Sequence, residues 1–240
     1  MKSSWPPVEK KTSTGFFYLI FGSEVAFFLI LANVAAFGFF HYTEIGRALL
    51  DSLVLYPANL FEGKNYICLI TSGFIHADLS HLFWNMLGLF VFTRIVDKHL
   101  GPGKTLFIYF GSLAISMFAS TWIYTYLLSK NVAIIGASGA VMGLLAAAML
   151  LDPFCITYET LIPVPVMIKG WLFLYADLQG FLDAKKDGVS HLVHLFGFLS
   201  VALLVYFLSD EDRKTMFMGL LINILSFVAF LSWRFWFVIH

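Results

Sequence analysis

Charge is what this 240-residue sequence has least of: Asp, Glu, Lys and Arg make up 12% of it, and 15 acids against 15 bases leave a formal net charge of zero. So few charges cannot cover a water-facing surface, and the even balance gives neither a basic face for nucleic acid nor an acidic tail. Cysteine is equally scarce. Cys68 and Cys155 are too few for a disulfide framework or a cysteine metal cluster, and they say nothing about redox compartment. There is no HExxH pair, no low-complexity stretch and no clear internal repeat. Strands of alternating polarity are missing too, which disfavours a transmembrane barrel. What remains is apolar: 60% hydrophobic residues, 27 phenylalanines and a mean hydropathy of +0.83. A soluble protein with this composition would bury every helix and have almost nothing left for an outside.

A helix needs about 20 mostly apolar residues to cross a hydrocarbon layer roughly 30 Å thick, so the gaps between charges locate the spans. Residues 25–43, 79–93 and 105–129 are such gaps. A fourth runs from Asn131 to Leu151, with its helix expected from Ser138. A fifth span is expected over 166–182, a sixth over 188–209 and a seventh over 215–233. The stretch 44–75 is too long for a turn between the first two spans. Lys2, Lys10 and Lys11 precede an apolar run from Phe16 without a small-residue cleavage site, so a retained first span is expected rather than a signal peptide. The fold class is therefore an all-α polytopic membrane protein. With the N-terminus inside, nine Lys and Arg fall inside and six outside, which favours that orientation.

Spans 2, 4 and 6 begin on the same side of the membrane. Span 2 opens with Asp78, His81 and Asn85, span 4 with Gly136-Ala137-Ser138-Gly139, and span 6 with His191 and His194. Ionisable groups inside a membrane are costly unless they line a wet cavity or find partners, so this convergence at one depth marks a candidate site. Polar residues at several depths, as a transporter would need, are not the pattern. Ser138 is a candidate nucleophile, and an imidazole on span 6 the base that would accept its proton. His81 and Asn85, four apart on one face, could donate to an oxyanion. The free N–H groups of a short span 4 beginning at Ser138 would add to them. Gly136 would allow a tight turn, and Gly139 and Gly143 form a stripe that Gly197 could meet on span 6. Spacing leaves His191 and His194 nearly equivalent; His194 lies about 4.5 Å deeper along the axis, nearer a recessed serine. His76, His81, His191 and His194 could instead hold a metal, but no acidic partner accompanies them and no metal or cofactor is expected.

The stretches HADLSHLFWNMLGLFVF (76–92), VDKHLGPGK (96–104), GASGAVMG (136–143) and SHLVHLFG (190–197) resemble the rhomboid family of intramembrane serine proteases. The resemblance covers about residues 20–208. It implies a six-helix core over 16–208 after a short cytoplasmic segment 1–15, with residues 209–240 adding a linker and a seventh helix as an appendage. The GxSG serine of the family maps to Ser138, the histidine of its HxxG stretch to His194, and its HxxxN pair to His81 and Asn85, with Gly136 and Gly139 in support. The implied function is cleavage of transmembrane segments near the outer face, with membrane proteins as substrates, lipids as surroundings, no nucleic acid, and a plasma or inner membrane as location. Met142 stands where the family often has Tyr or Phe, and Val201 where it often has Gly. No aspartate is required by the resemblance, and Asp177 is expected at the wrong end of span 5 to serve the site. A non-enzymatic relative that escorts weak transmembrane helices is the competing class. It has no need for both Ser138 and His194.

Seven crossings reverse the chain, so His240 is expected on the external face. An impermeant thiol reagent added to cells should label a His240→Cys protein and leave Lys2→Cys untouched; both labelled from one side would remove a span.

Overall fold

A backbone surrounded by hydrocarbon has no water to satisfy its N–H and C=O groups, and the chain answers with helices. The computed structural model describes residues 22–63, 65–158, 163–183 and 190–239, with side chains to Trp233. The helices are α1 (Glu24–Tyr42), α2 (Glu44–Leu53), α3 (Pro57–Phe61), α4 (Cys68–Thr71), α5 (Leu79–Leu100), α6 (Pro102–Tyr126), α7 (Ser138–Leu151), α8 (Val166–Leu182), α9 (His191–Leu204) and α10 (Asp210–Ile239). The strands Ile156–Thr157 and Val164–Pro165 form one small antiparallel pair. The expected segment 1–15, the start of the core at 16–21, and Lys64, Lys185, Lys186, Gly188 and Val189 lie outside the described residues.

Each expected span contains a helix, with differences at the ends. Helix α5 continues past the charge-free stretch to Leu100, because Arg94, Asp97 and Lys98 are helical residues at its polar end. Charge marks where apolar surroundings stop, whereas the helix stops at Gly101, whose φ of 80° suits glycine. Pro102 then opens α6, where its missing N–H costs nothing. Helix α9 gives way to a 3-10 turn at Val205–Phe207, short of residue 209. Four helices, α1, α5, α6 and the Asp210–Trp233 part of α10, are long and apolar enough to cross a membrane. Helices α7 and α9 are apolar but shorter, and α8 has 17 residues with Lys169 and Asp177 buried along it.

Helix α7 lies at the centre. Every residue of it except Ser138 and Leu150 is buried, with α5, α6, α8, α9 and α10 packed around it. A seam of small residues permits this. A Cβ on Gly143 would collide with Ser112 of α6, one on Gly139 with Ser116, and one on Gly197 of α9 with the Gly139 carbonyl oxygen. Ser200 closes the seam through a hydrogen bond with Ser112 Oγ at 2.8 Å. Where lipid tails are as apolar as the side chains, such close approach is what holds helices together.

The seventh helix is more than an appendage. The α10 residue Asn223 donates through Nδ2 to the Met149 carbonyl oxygen at 3.0 Å, Gly219 sits against the Leu150 carbonyl, and Lys104 of α6 pairs with Asp212. The segment between α1 and α5 is also fixed. Thr71 Oγ1 donates to Leu53 O at 2.9 Å, and the loop before α7 is tied to this segment by Ile134 N to Leu55 O at 2.8 Å and Gly136 N to Ser72 O at 2.9 Å.

Because a carbonyl oxygen cannot move aside as a side chain can, Gly197→Ala is expected to lower stability by about 1–3 kcal/mol. Gly38→Ala, with nothing within 4 Å of the added carbon, should be neutral or slightly stabilising. Thermal unfolding in detergent micelles checks both, and equal melting temperatures for the two variants would contradict the tight seam.

Candidate active site

Two contacts set the register of α5 on α7. A Cβ on Gly136 would lie 2.5 Å from His81 Nε2, and one on Gly88 would lie 2.6 Å from Val141 Cγ1. The helices therefore run parallel from a common end, and Asn85, between His81 and Gly88, is level with the first turn of α7. Two more contacts set α9 on α7: Val193 Cγ1 is 3.0 Å from a Cβ on Gly139, and Gly197 abuts the Gly139 backbone. His194 lies between Val193 and Gly197, so it stands beside the same turn. Ser138, His194, His81 and Asn85 thus meet at one end of the bundle.

The turn that presents Ser138 needs a glycine. Gly136 has φ 102°, the left-handed region an L side chain avoids, and the His81 ring occupies the space above it. Ala137 then precedes α7 with no side-chain cap, which leaves the first-turn N–H groups around a half-buried Ser138 without a capping partner. Those donors and the positive end of the helix suit a developing negative charge.

Local hydrogen bonds orient the neighbours. Asp78 caps α5 by accepting from the His81 backbone N–H at 2.8 Å. Ala77 N–H points at His81 Nδ1 over 3.5 Å, a long bond that favours the proton on Nε2, the nitrogen facing the Gly136 turn. Asn85 is buried and donates through Nδ2 to His81 O at 2.8 Å. An amide has two N–H donors, so one remains for a ligand. His76, in the segment leading into α5, is buried with its ring centroid 5.0 Å from that of His81. Burial, reinforced by the neighbouring His81, pushes its pKa down to about 4, so it is neutral at neutral pH. No hydrogen bond joins Ser138 to His194 among the described residues; such bonds often tighten only with substrate present.

Asp177 requires a correction. Its Oδ1 accepts from Nδ1 of His194 at 2.9 Å and from Nδ1 of His191 at 2.9 Å, so it stands at the right end of its helix. Helices α8 and α9 run antiparallel, which sets the C-terminal end of one against the N-terminal start of the other; a Cβ on Gly180 would strike the His191 ring. The overlooked signal was the acid itself, since an ionisable residue within an apolar helix calls for a named partner. His191, the shallower of the two by sequence spacing, is nevertheless the less exposed. Its side chain is 12% exposed against 20% for His194, because it is packed on α8 and tied to the same carboxylate.

The two departures are both accommodated by burial. Met142 lies one turn after Ser138 within the core, and Val201 lies one turn past the crossing at Gly197, beside the Ser200 to Ser112 bond.

Comparison with known proteins agrees with this geometry. Residues 63–211 match the Rhomboid domain. The chain is 28% identical over 165 residues to the putative rhomboid protease YdcA of Bacillus subtilis, covering 68% of this chain and 77% of that protein. It is 28% identical over 198 residues to the rhomboid protease AarA of Providencia stuartii, covering 73% and 69%. With RHOMBOID-like protein 12, mitochondrial, of Arabidopsis thaliana it shares 26% over 189 residues, 72% of this chain but only 55% of that relative's length. With its helices, its buried polar end and a domain match over more than half its length, the chain belongs to the rhomboid family of integral membrane proteins.

Proposed function

We propose that the chain is an intramembrane serine endopeptidase that cleaves transmembrane segments of other membrane proteins, with Ser138 as nucleophile and His194 as general base. The observation that supports this is the crossing of α7 and α9 at Gly139 and Gly197, next in sequence to a half-buried Ser138 at an uncapped helix start and one turn from His194. Two relatives named as rhomboid proteases support it. The location is a plasma or inner membrane with the N-terminus cytoplasmic, supported by the balance of Lys and Arg.

In the reaction Ser138 Oγ attacks the scissile carbonyl carbon while His194 Nε2 takes the hydroxyl proton. The resulting oxyanion is held by first-turn N–H groups of α7, with His81 Nε2–H and the second Asn85 N–H as further donors. Collapse of the tetrahedral species breaks the C–N bond, and the imidazolium returns its proton to the leaving amine. Water then attacks the acyl ester with His194 again as base, releasing the new carboxylate and restoring Ser138.

A fluorophosphonate should label the detergent-solubilised protein, and Ser138→Ala and His194→Ala should lose both labelling and cleavage of a model transmembrane substrate. A folded wild-type protein that stays unlabelled, yet binds transmembrane helices as well as Ser138→Ala does, would replace the enzyme with the escort class.

Asn85→Ala should reduce turnover roughly 10- to 1000-fold, as expected for a lost oxyanion donor, with KM nearly unchanged. Turnover is to be paired with thermal unfolding, because Asn85 also ties down the His81 carbonyl. Full activity at wild-type stability would remove Asn85 from the site.

A further inference from the structure

A carboxylate inside an apolar bundle is expensive to keep charged, and Asp177 is 5% exposed. Its surroundings show what holds it there. One oxygen, Oδ1, lies 2.9 Å from two ring nitrogens, the Nδ1 atoms of His191 and His194, one turn apart on the same face of α9. A carboxylate oxygen has the lone pairs to accept from both, and each Nδ1 then carries its proton. The start of α9 adds to the arrangement: Ser190 provides no side-chain cap, so the positive end of that helix faces the same region as the acid.

A neutral imidazole has one proton to place. With it fixed on Nδ1 by Asp177, the lone pair of His194 is on Nε2, the only other ring position and the one available to a serine hydroxyl. When Ser138 gives up its proton the ring becomes an imidazolium, and an anion already in contact stabilises that charge without reorganising. We propose that Asp177 is a positioning residue for the proteolytic reaction, holding His194 in the tautomer and orientation that present Nε2 to Ser138. His191 shares the load by gripping the same oxygen from the first turn of α9, which fixes the carboxylate as the carboxylate fixes His194. This rests on the reading of His194 as general base.

The test is the rate constant of fluorophosphonate labelling, measured on the full-length protein in detergent alongside its final extent. The rate constant reports the chemistry of each competent molecule; the extent reports how many molecules are folded. Asp177→Asn keeps the size of the side chain but loses the charge, and should lower the rate constant on the order of 10- to 100-fold with the extent nearly unchanged. Asp177→Glu should recover part of the rate. His191→Gln, whose amide can still donate to Oδ1, should retain most of it. A wild-type rate constant in Asp177→Asn would overturn the proposal while leaving the protease reading intact, provided Ser138→Ala stays unlabelled. A reduced extent with an unchanged rate constant would also overturn it, since that is the mark of a purely structural residue. If Asp177→Asn does not fold, Asp177→Glu decides: an unchanged rate constant rejects the role, and a lowered one with full extent supports it. A folded wild-type protein that is not labelled at all would reject both readings.

Discussion

The carbonyl oxygen of Gly139 against the bare Cα of Gly197 sets the distance between α7 and α9, and the rest of the site depends on it. Any side chain at residue 197 would drive the helices apart and move His194 with α9. The same closeness governs the back of α7, where Ser112 and Ser116 of α6 stand against Gly143 and Gly139. Hydroxyls serve there because they are small and can satisfy themselves locally. Ser116 donates to Leu113 O at 2.9 Å, and Ser200 donates to Gly197 O at 2.6 Å while its oxygen shares a hydrogen bond with the Ser112 hydroxyl. No polar atom in that group has to reach lipid.

A helix of 14 residues is only about 21 Å long, so α7 cannot reach both faces of a layer roughly 30 Å thick. Its two ends meet that deficit differently. At the N-terminus the first-turn N–H groups around Ser138 have no side-chain cap. At the C-terminus two of the last carbonyls have partners: Asp152 N–H bonds to Ala148 O at 2.9 Å, and Asn223 of α10 reaches Met149 O. The seventh helix therefore contributes to the hydrogen bonding of α7, from the end opposite Ser138.

Much of this was legible in the sequence, because membrane burial leaves its mark on composition. Gaps between charges found α1, α6 and α10, and the first residue of α7 followed from Gly136 and Ser138. That Ser138, His81, Asn85 and His194 share one end of the bundle followed from counting crossings. What escaped was whatever depends on partners rather than on local pattern. Arg94 and Asp97 looked like the end of a helix, yet Arg94 lies over the Phe90 ring at 4.9 Å and Asp97 accepts from Ser23 at 2.6 Å, so α5 runs on. Asn223 is one amide in an apolar run, and nothing local announces its acceptor on α7.

Asp177 shows where reading depth from the start of each span fails, a rule that holds for parallel helices such as α5, α7 and α9. Helix α8 runs the other way, so its last turns, not its first, share the level of Ser138. Reckoned from the common face, Asp177 falls beside His191 and His194, and a lone acid in an apolar helix becomes the expected counterpart of two histidines. Asp177, His191 and His194 then form one connected set beside the start of α7. In the proposed reaction a proton taken from Ser138 would create a positive ring between the Asp177 carboxylate and a developing oxyanion. In a medium of low dielectric that order of charges is what lets an ion pair form without water to support it.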